Sequence, residues 1–156
     1  MSTMKVLICQ EIKNLVWEVW ERPVPGDNEA LIKIKTVGIC GTDIHAWAGN
    51  QPFFSYPRVL GHEICGEIIE SGKNIHNFNI GQQVAVIPYI SCQQCPACKS
   101  GRTNCCEKIS VIGVHQDGGF SEYLSVPVAN ILPADGIDPQ AAALIEPFAI
   151  SAHAVR

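Results

Sequence analysis

Cysteines stand at positions 92, 95 and 98, and again in the adjacent pair Cys105-Cys106, all within fifteen residues. Sulfurs spaced this way on one tight loop can point at a single centre and close a tetrahedral thiolate cage, which zinc fills without redox chemistry. Spacing alone does not choose between Cys105 and Cys106 as the fourth ligand. An iron–sulfur cluster is the rival occupant. The bacterial ferredoxin run, however, needs its fourth cysteine four places after the third, and position 102 here is Arg102. Four thiolates around one dication leave a net charge of about -2, which Lys99, Arg102 and Lys108 offset. Such a cage has no open position, so its task is to hold a long loop in shape.

The rest of the chain supports a metal reading of these thiols. The first residues lack the basic start, long apolar run and small-residue cleavage site of a signal peptide, so a cytoplasmic and reducing setting is expected, where thiolates bind metal rather than pair as disulfides. With 156 residues, 47% of them hydrophobic, the chain can bury the core of one domain. The net charge of -4 carries no basic cluster. Nucleic acid is therefore not an expected partner, and the apolar stretches are too short for a membrane helix.

The hydrophobic pattern is mostly that of short strands. Met4 to Cys9, Leu15 to Trp20, Glu29 to Val37, Ile64 to Ser71, Gln83 to Ile90, Phe120 to Val126 and Asn130 to Leu132 read as strands between Gly and Pro turns. In Glu29 to Val37, Ile32, Ile34 and Thr36 share one face and Lys33 and Lys35 the other. Thr42 to Trp47 fits one short helix. Asp138 is a good N-cap with Pro139 at the first helical position. Pro147 is expected to interrupt that helix just after Glu146, with a second helix from Phe148 to Arg156. The expected fold is mainly β with short helices, a compact domain resembling a distorted barrel.

A second set of metal-type residues lies outside the cysteine run. Cys40 offers a thiolate and His62 an imidazole, and Glu63 and Glu146 are available carboxylates. A catalytic zinc takes three such ligands and leaves one position for water or substrate. Singly, each has a plainer reading: Cys40 as a small buried hydrophobe, His62 as a hydrogen-bonded loop histidine, the glutamates as surface or capping groups. Together with a closed cage they point to a zinc enzyme carrying a structural and a catalytic metal.

The chain resembles the zinc-dependent medium-chain alcohol and polyol dehydrogenases. The resemblance rests on GICGTDIH from Gly38, GHEICG from Gly61, the four-cysteine lobe with its GRTNCCEK tail, and Glu146-Pro147, and it covers essentially the whole chain. It implies a GroES-like barrel over residues 1–156, with the structural zinc lobe at 91–107 held by Cys92, Cys95, Cys98 and Cys106. It also implies Cys40 and His62 as ligands of the catalytic zinc, with Glu146, or Glu63 in exchange with water, completing the shell. Thr42 would touch the substrate oxygen, His45 would pass its proton to solvent, and Asp43 would orient a ligand. The implied reaction moves a hydride from a secondary alcohol, in a polyol or sugar acid, to NAD(P), because no side chain accepts hydride.

That cofactor has no site here. No Gly-x-Gly-x-x-Gly turn is present, and the last helix runs to the chain end without a cap. The expectation is a catalytic domain whose dinucleotide-binding (Rossmann) domain follows, inactive alone, from a full-length homodimer or homotetramer. The alternative is a stand-alone zinc-binding module. Trp47, Phe53, Phe54 and Tyr56 are expected to wall the substrate pocket, and Cys9, Cys65 and Cys105 to be packed thiols.

Overall fold

The computed structural model describes residues 2–52 and 54–155. Three strands open the chain's structure: β1 (Thr3–Glu11), β2 (Asn14–Glu21) and β3 (Glu29–Gly38). Helix α1 (Gly41–Ala48) follows, then β4 (Arg58–Val59), β5 (Glu63–Ser71), β6 (Gln83–Val86) and β7 (Tyr89–Ile90). The cysteine lobe holds the single turn α2 (Pro96–Lys99) and leads to β8 (Ser110–Val111), β9 (Tyr123–Pro127) and β10 (Ile131–Pro133). Helices α3 (Pro139–Ala143) and α4 (Ile145–Ala154) end it.

The strands form a five-stranded sheet in the order β10-β6-β5-β3-β9, a three-stranded sheet β2-β1-β4 and the ribbon β7-β8. Every pair of named strands among the described residues is antiparallel. Among the described residues there is therefore no parallel sheet of the kind a dinucleotide-binding fold is built on. The main core lies on the large sheet, where Ile32, Ile64, Ile68, Val84, Val126 and Ile131 are buried together. Each such side chain contributes about 1.5–3 kcal/mol over an exposed one, which outweighs the ladder bonds lost at two irregularities in the β3–β5 pairing, at Leu31/Ile32 and Ile34/Thr36. Helix α3 packs Ala142 and Ala143 on Cys65 and Ala85. Because α3 also packs on β3, Ala30, Leu31 and Ile32 are buried in succession, where simple alternation predicts two faces of different polarity.

Three expected boundaries move. The segment 83–90 is two strands, not one, because Pro88 has no amide for a ladder. Its neighbours' carbonyls, on Ile87 and Tyr89, take hydrogen bonds from the buried Asn130 side chain at 2.9 and 3.1 Å. Residues 120–122 are not in β9, because Phe120 is used to clamp the segment before His62. Pro147 does not break the last helix. The break falls at Leu144, and Pro147 sits in the first turn of α4, where helical amides have no intrahelical acceptor and a missing one costs little. The Asp138 cap forms as expected, with its Oδ1 accepting from the Gln140 and Ala141 amides.

Candidate metal centres

Antiparallel pairing brings the first centre together. Gly38 at the end of β3 lies opposite Glu63 at the start of β5. Continuing both chains past that pair carries Cys40 and His62 to the same end of the sheet. One ligand-type atom from each of Cys40, His62 and Glu63 falls within 4.8 Å of the others. His62 and Glu63 are buried, and Cys40 is half-buried. Gly38 makes room for the carboxylate: a Cβ there would lie 2.0 Å from Glu63 Oε2. Gly61 turns the chain into His62 at φ +90°, in the left-handed region that favours glycine.

Asp43 ties the two segments together. Its buried carboxylate accepts from the Cys40 amide at 2.8 Å and from the Gly61 amide at 3.0 Å. It also stands 3.8 Å from His62 Nδ1, a buried nitrogen with no hydrogen-bond partner. A second clamp comes from residues 117–120. The Gly118, Gly119 and Phe120 amides donate to the carbonyls of Val59, Gly61 and Leu60 at 2.7–2.9 Å, and Asp117 accepts from the Val59 amide. A thiolate, an imidazole and a carboxylate held this way, beside an unpartnered imidazole nitrogen, form a donor set that suits zinc.

Thr42 Oγ1 lies 3.7 Å from Cys40 Sγ. His45, one turn further along α1, is exposed, so a proton reaching it has access to solvent. Glu146 is buried but does not join the 4.8 Å set of Cys40, His62 and Glu63. Its Oε1 instead accepts a hydrogen bond from the Tyr89 hydroxyl. Burial, that hydrogen bond and the nearby Glu146, Cys40 and Glu63 hold the Tyr89 phenol above its usual range, so it remains a donor. No sequence signal singles out Tyr89, which meets Glu146 across 57 positions.

The second centre is local. Cys92, Cys95, Cys98 and Cys106 place their sulfurs within 4.8 Å of one another, and Cys105, expected to be packed, is exposed. A zinc–sulfur bond of about 2.3 Å in tetrahedral geometry separates neighbouring sulfurs by about 3.8 Å. Here Cys95–Cys98 is 3.5 Å and Cys92–Cys98 is 4.0 Å, so the cage fits. Amides aimed at the sulfurs favour thiolates: Cys95 N donates to Cys92 Sγ, and Cys92 N and Lys108 N donate to Cys106 Sγ. The backbone amides of Cys98 and Glu107 pull the Cys95 thiol below its usual range, and those of Gln94 and Cys95 do the same for Cys92. Burial, and then hydrogen bonding to Cys95, pushes Cys98 up.

Of the aromatic residues expected around a pocket, Phe54 and Tyr56 pack into the core with Cys9, Ala46 and Leu60. Phe53 lies outside the described residues. Trp47 lines a groove of about 600 Å³ with Leu15, Trp17, Ile39, Ile44 and Phe120. This groove is mostly apolar, with Lys5, Asp43, Ser121 and Glu122 also on its lining, and does not include Cys40, His62 or Glu63. No helix among the described residues is long and apolar enough to cross a membrane.

The known proteins similar to this chain are dehydrogenases. The chain is 86% identical over all 156 residues to an Escherichia coli K12 L-galactonate-5-dehydrogenase, of which it covers 46%. It superposes at a TM-score of 0.91, with 40% identity, on an alcohol dehydrogenase, RspB, from Escherichia coli CFT073 complexed with the cofactor NADH, covering 97% of this chain and 44% of that one. A cobalt- and zinc-bound thermostable alcohol dehydrogenase from Pyrobaculum aerophilum superposes at 0.84 with 29% identity, over 93% of this chain and 45% of that one. The chain thus spans a little under half the length of these relatives. Residues 26–136 match the alcohol dehydrogenase GroES-like domain family, and the chain belongs to it.

Proposed function

We propose that residues 1–156 are the catalytic domain of a zinc-dependent, NAD(P)-linked dehydrogenase that oxidises a secondary alcohol of a polyol or sugar acid. The proposed substrate is L-galactonate, the substrate in the name of the 86% identical relative. The observation that carries this reading is the convergence of Cys40, His62 and Glu63, from two separate segments, on one point. The dinucleotide-binding part lies in the remaining half of the protein, as the NADH-bound relative of about twice this length suggests. The full-length protein works in the cytoplasm as a homodimer or homotetramer.

Cys40, His62 and Glu63 would hold the catalytic zinc, which when bound acts as a Lewis acid and lowers the pKa of an alcohol. The chain's own residues do the rest. Thr42, beside Cys40, would take the substrate hydroxyl's proton while giving up its own toward His45, which is exposed on the same helix and would release a proton to solvent. Asp43 holds the Cys40 and His62 segments at fixed separation. Cys92, Cys95, Cys98 and Cys106 would hold a structural zinc.

The test is metal content and activity of the full-length protein. Two zinc ions per chain are expected, with the lobe's ion retained and the other readily taken by a chelator. Cys40→Ala should lose one zinc and NAD(P)-dependent oxidation of L-galactonate together. One zinc per chain in the wild type, held in the lobe, would instead indicate a binding module without catalysis.

A further inference from the structure

We infer that the Tyr89 hydroxyl holds Glu146 outside the ligand set of the open centre, so that Glu63 is its carboxylate ligand and one position stays free. This rests on the metal reading above. Two carboxylates are buried, Glu63 beside Cys40 and His62 and Glu146 against Tyr89. A catalytic site takes three protein ligands and keeps a fourth place for substrate. Were both carboxylates to bind, that place would be filled. The structure separates them. Glu63 sits with Cys40 and His62, in the space left by Gly38. Glu146, in the first turn of α4, gives an oxygen to Tyr89. A hydrogen bond to an ionised, buried carboxylate such as Glu146 is charge-assisted and directional.

Tyr89 is itself firmly held. It pairs with Val111 across the β7–β8 ribbon, and its carbonyl takes a hydrogen bond from the buried Asn130 side chain. The phenol therefore stands on a strand that runs straight into Cys92 three residues later. Tyr89 is a positioning residue, acting on the centre through Glu146.

Cobalt(II) substitution at the open centre of the full-length protein tests this, because the ligand-field bands report coordination number. Tyr89→Phe keeps the ring and removes the donor. Its visible bands should shift and lose intensity as Glu146 enters the shell, and the double variant Tyr89→Phe/Glu146→Gln should return the wild-type spectrum. A Tyr89→Phe spectrum identical to wild type overturns the inference, and so does a change that persists in the double variant. A wild-type protein that takes up cobalt in the cysteine lobe alone overturns the metal reading itself, which is a separate and distinguishable failure.

Discussion

Asp43→Asn is the most informative substitution outside the ligands. The Asp43 carboxylate is 97% buried and accepts from two backbone amides, those of Cys40 and Gly61. Asparagine has the same shape but one acceptor oxygen, so one of these amides meets an NH2 group and is left unpaired. A hydrogen bond to a charged group contributes about 1.5–3 kcal/mol, and a neutral one about 1 kcal/mol. Losing one charged bond and weakening the other therefore costs about 2–5 kcal/mol. That is a large share of a domain stability of about 5–15 kcal/mol. Urea unfolding of the metal-free protein should show this loss in its midpoint. Native-state hydrogen exchange should show faster exchange at either Cys40 or Gly61. A change below about 0.5 kcal/mol, with both amides still protected, would refute the view that this carboxylate joins the two segments.

Two further outcomes follow from the same geometry. In Gly38→Ala the new Cβ meets Glu63 Oε2 at 2.0 Å and its Cβ at 2.9 Å, so the whole side chain must move. Zinc affinity at the open centre should fall about 10- to 100-fold in a chelator competition, and an unchanged affinity would show that Glu63 is not a ligand. In the cysteine lobe, burial raises the Cys98 thiol, so it carries its proton at pH 7 without metal. Metal binds the thiolate. Loading should therefore release protons, and affinity should weaken as pH falls. Calorimetry in buffers of different ionisation enthalpy would read this, and heats independent of buffer would contradict it.

Much of the fold was legible because its signals are local. Apolar runs between Gly and Pro turns, with alternation in Glu29 to Val37, placed β1, β3 and β5 to within two residues, and Asp138-Pro139 placed the start of α3. Pro147 misled because a proline blocks a helix interior but suits a first turn, and where the first turn lies depends on how α3 ends against the sheet. Leu15, Trp17 and Val19 form an exposed apolar face on β2, and nothing in the alternation of that strand tells which of its faces is covered.

The two centres divide along the same line. Within the cysteine run, connectivity allows four sulfurs little choice but to meet, so spacing alone specified the cage up to the Cys105/Cys106 ambiguity. Cys40 and the His62-Glu63 pair come from separate segments, and their meeting depends on strand register, above all Gly38 opposite Glu63. A register shift of one residue would reverse every side chain of a strand. Residue types therefore pointed to a metal site, while the folded backbone brought Glu63 to Cys40 and His62 and left Glu146 hydrogen-bonded to Tyr89.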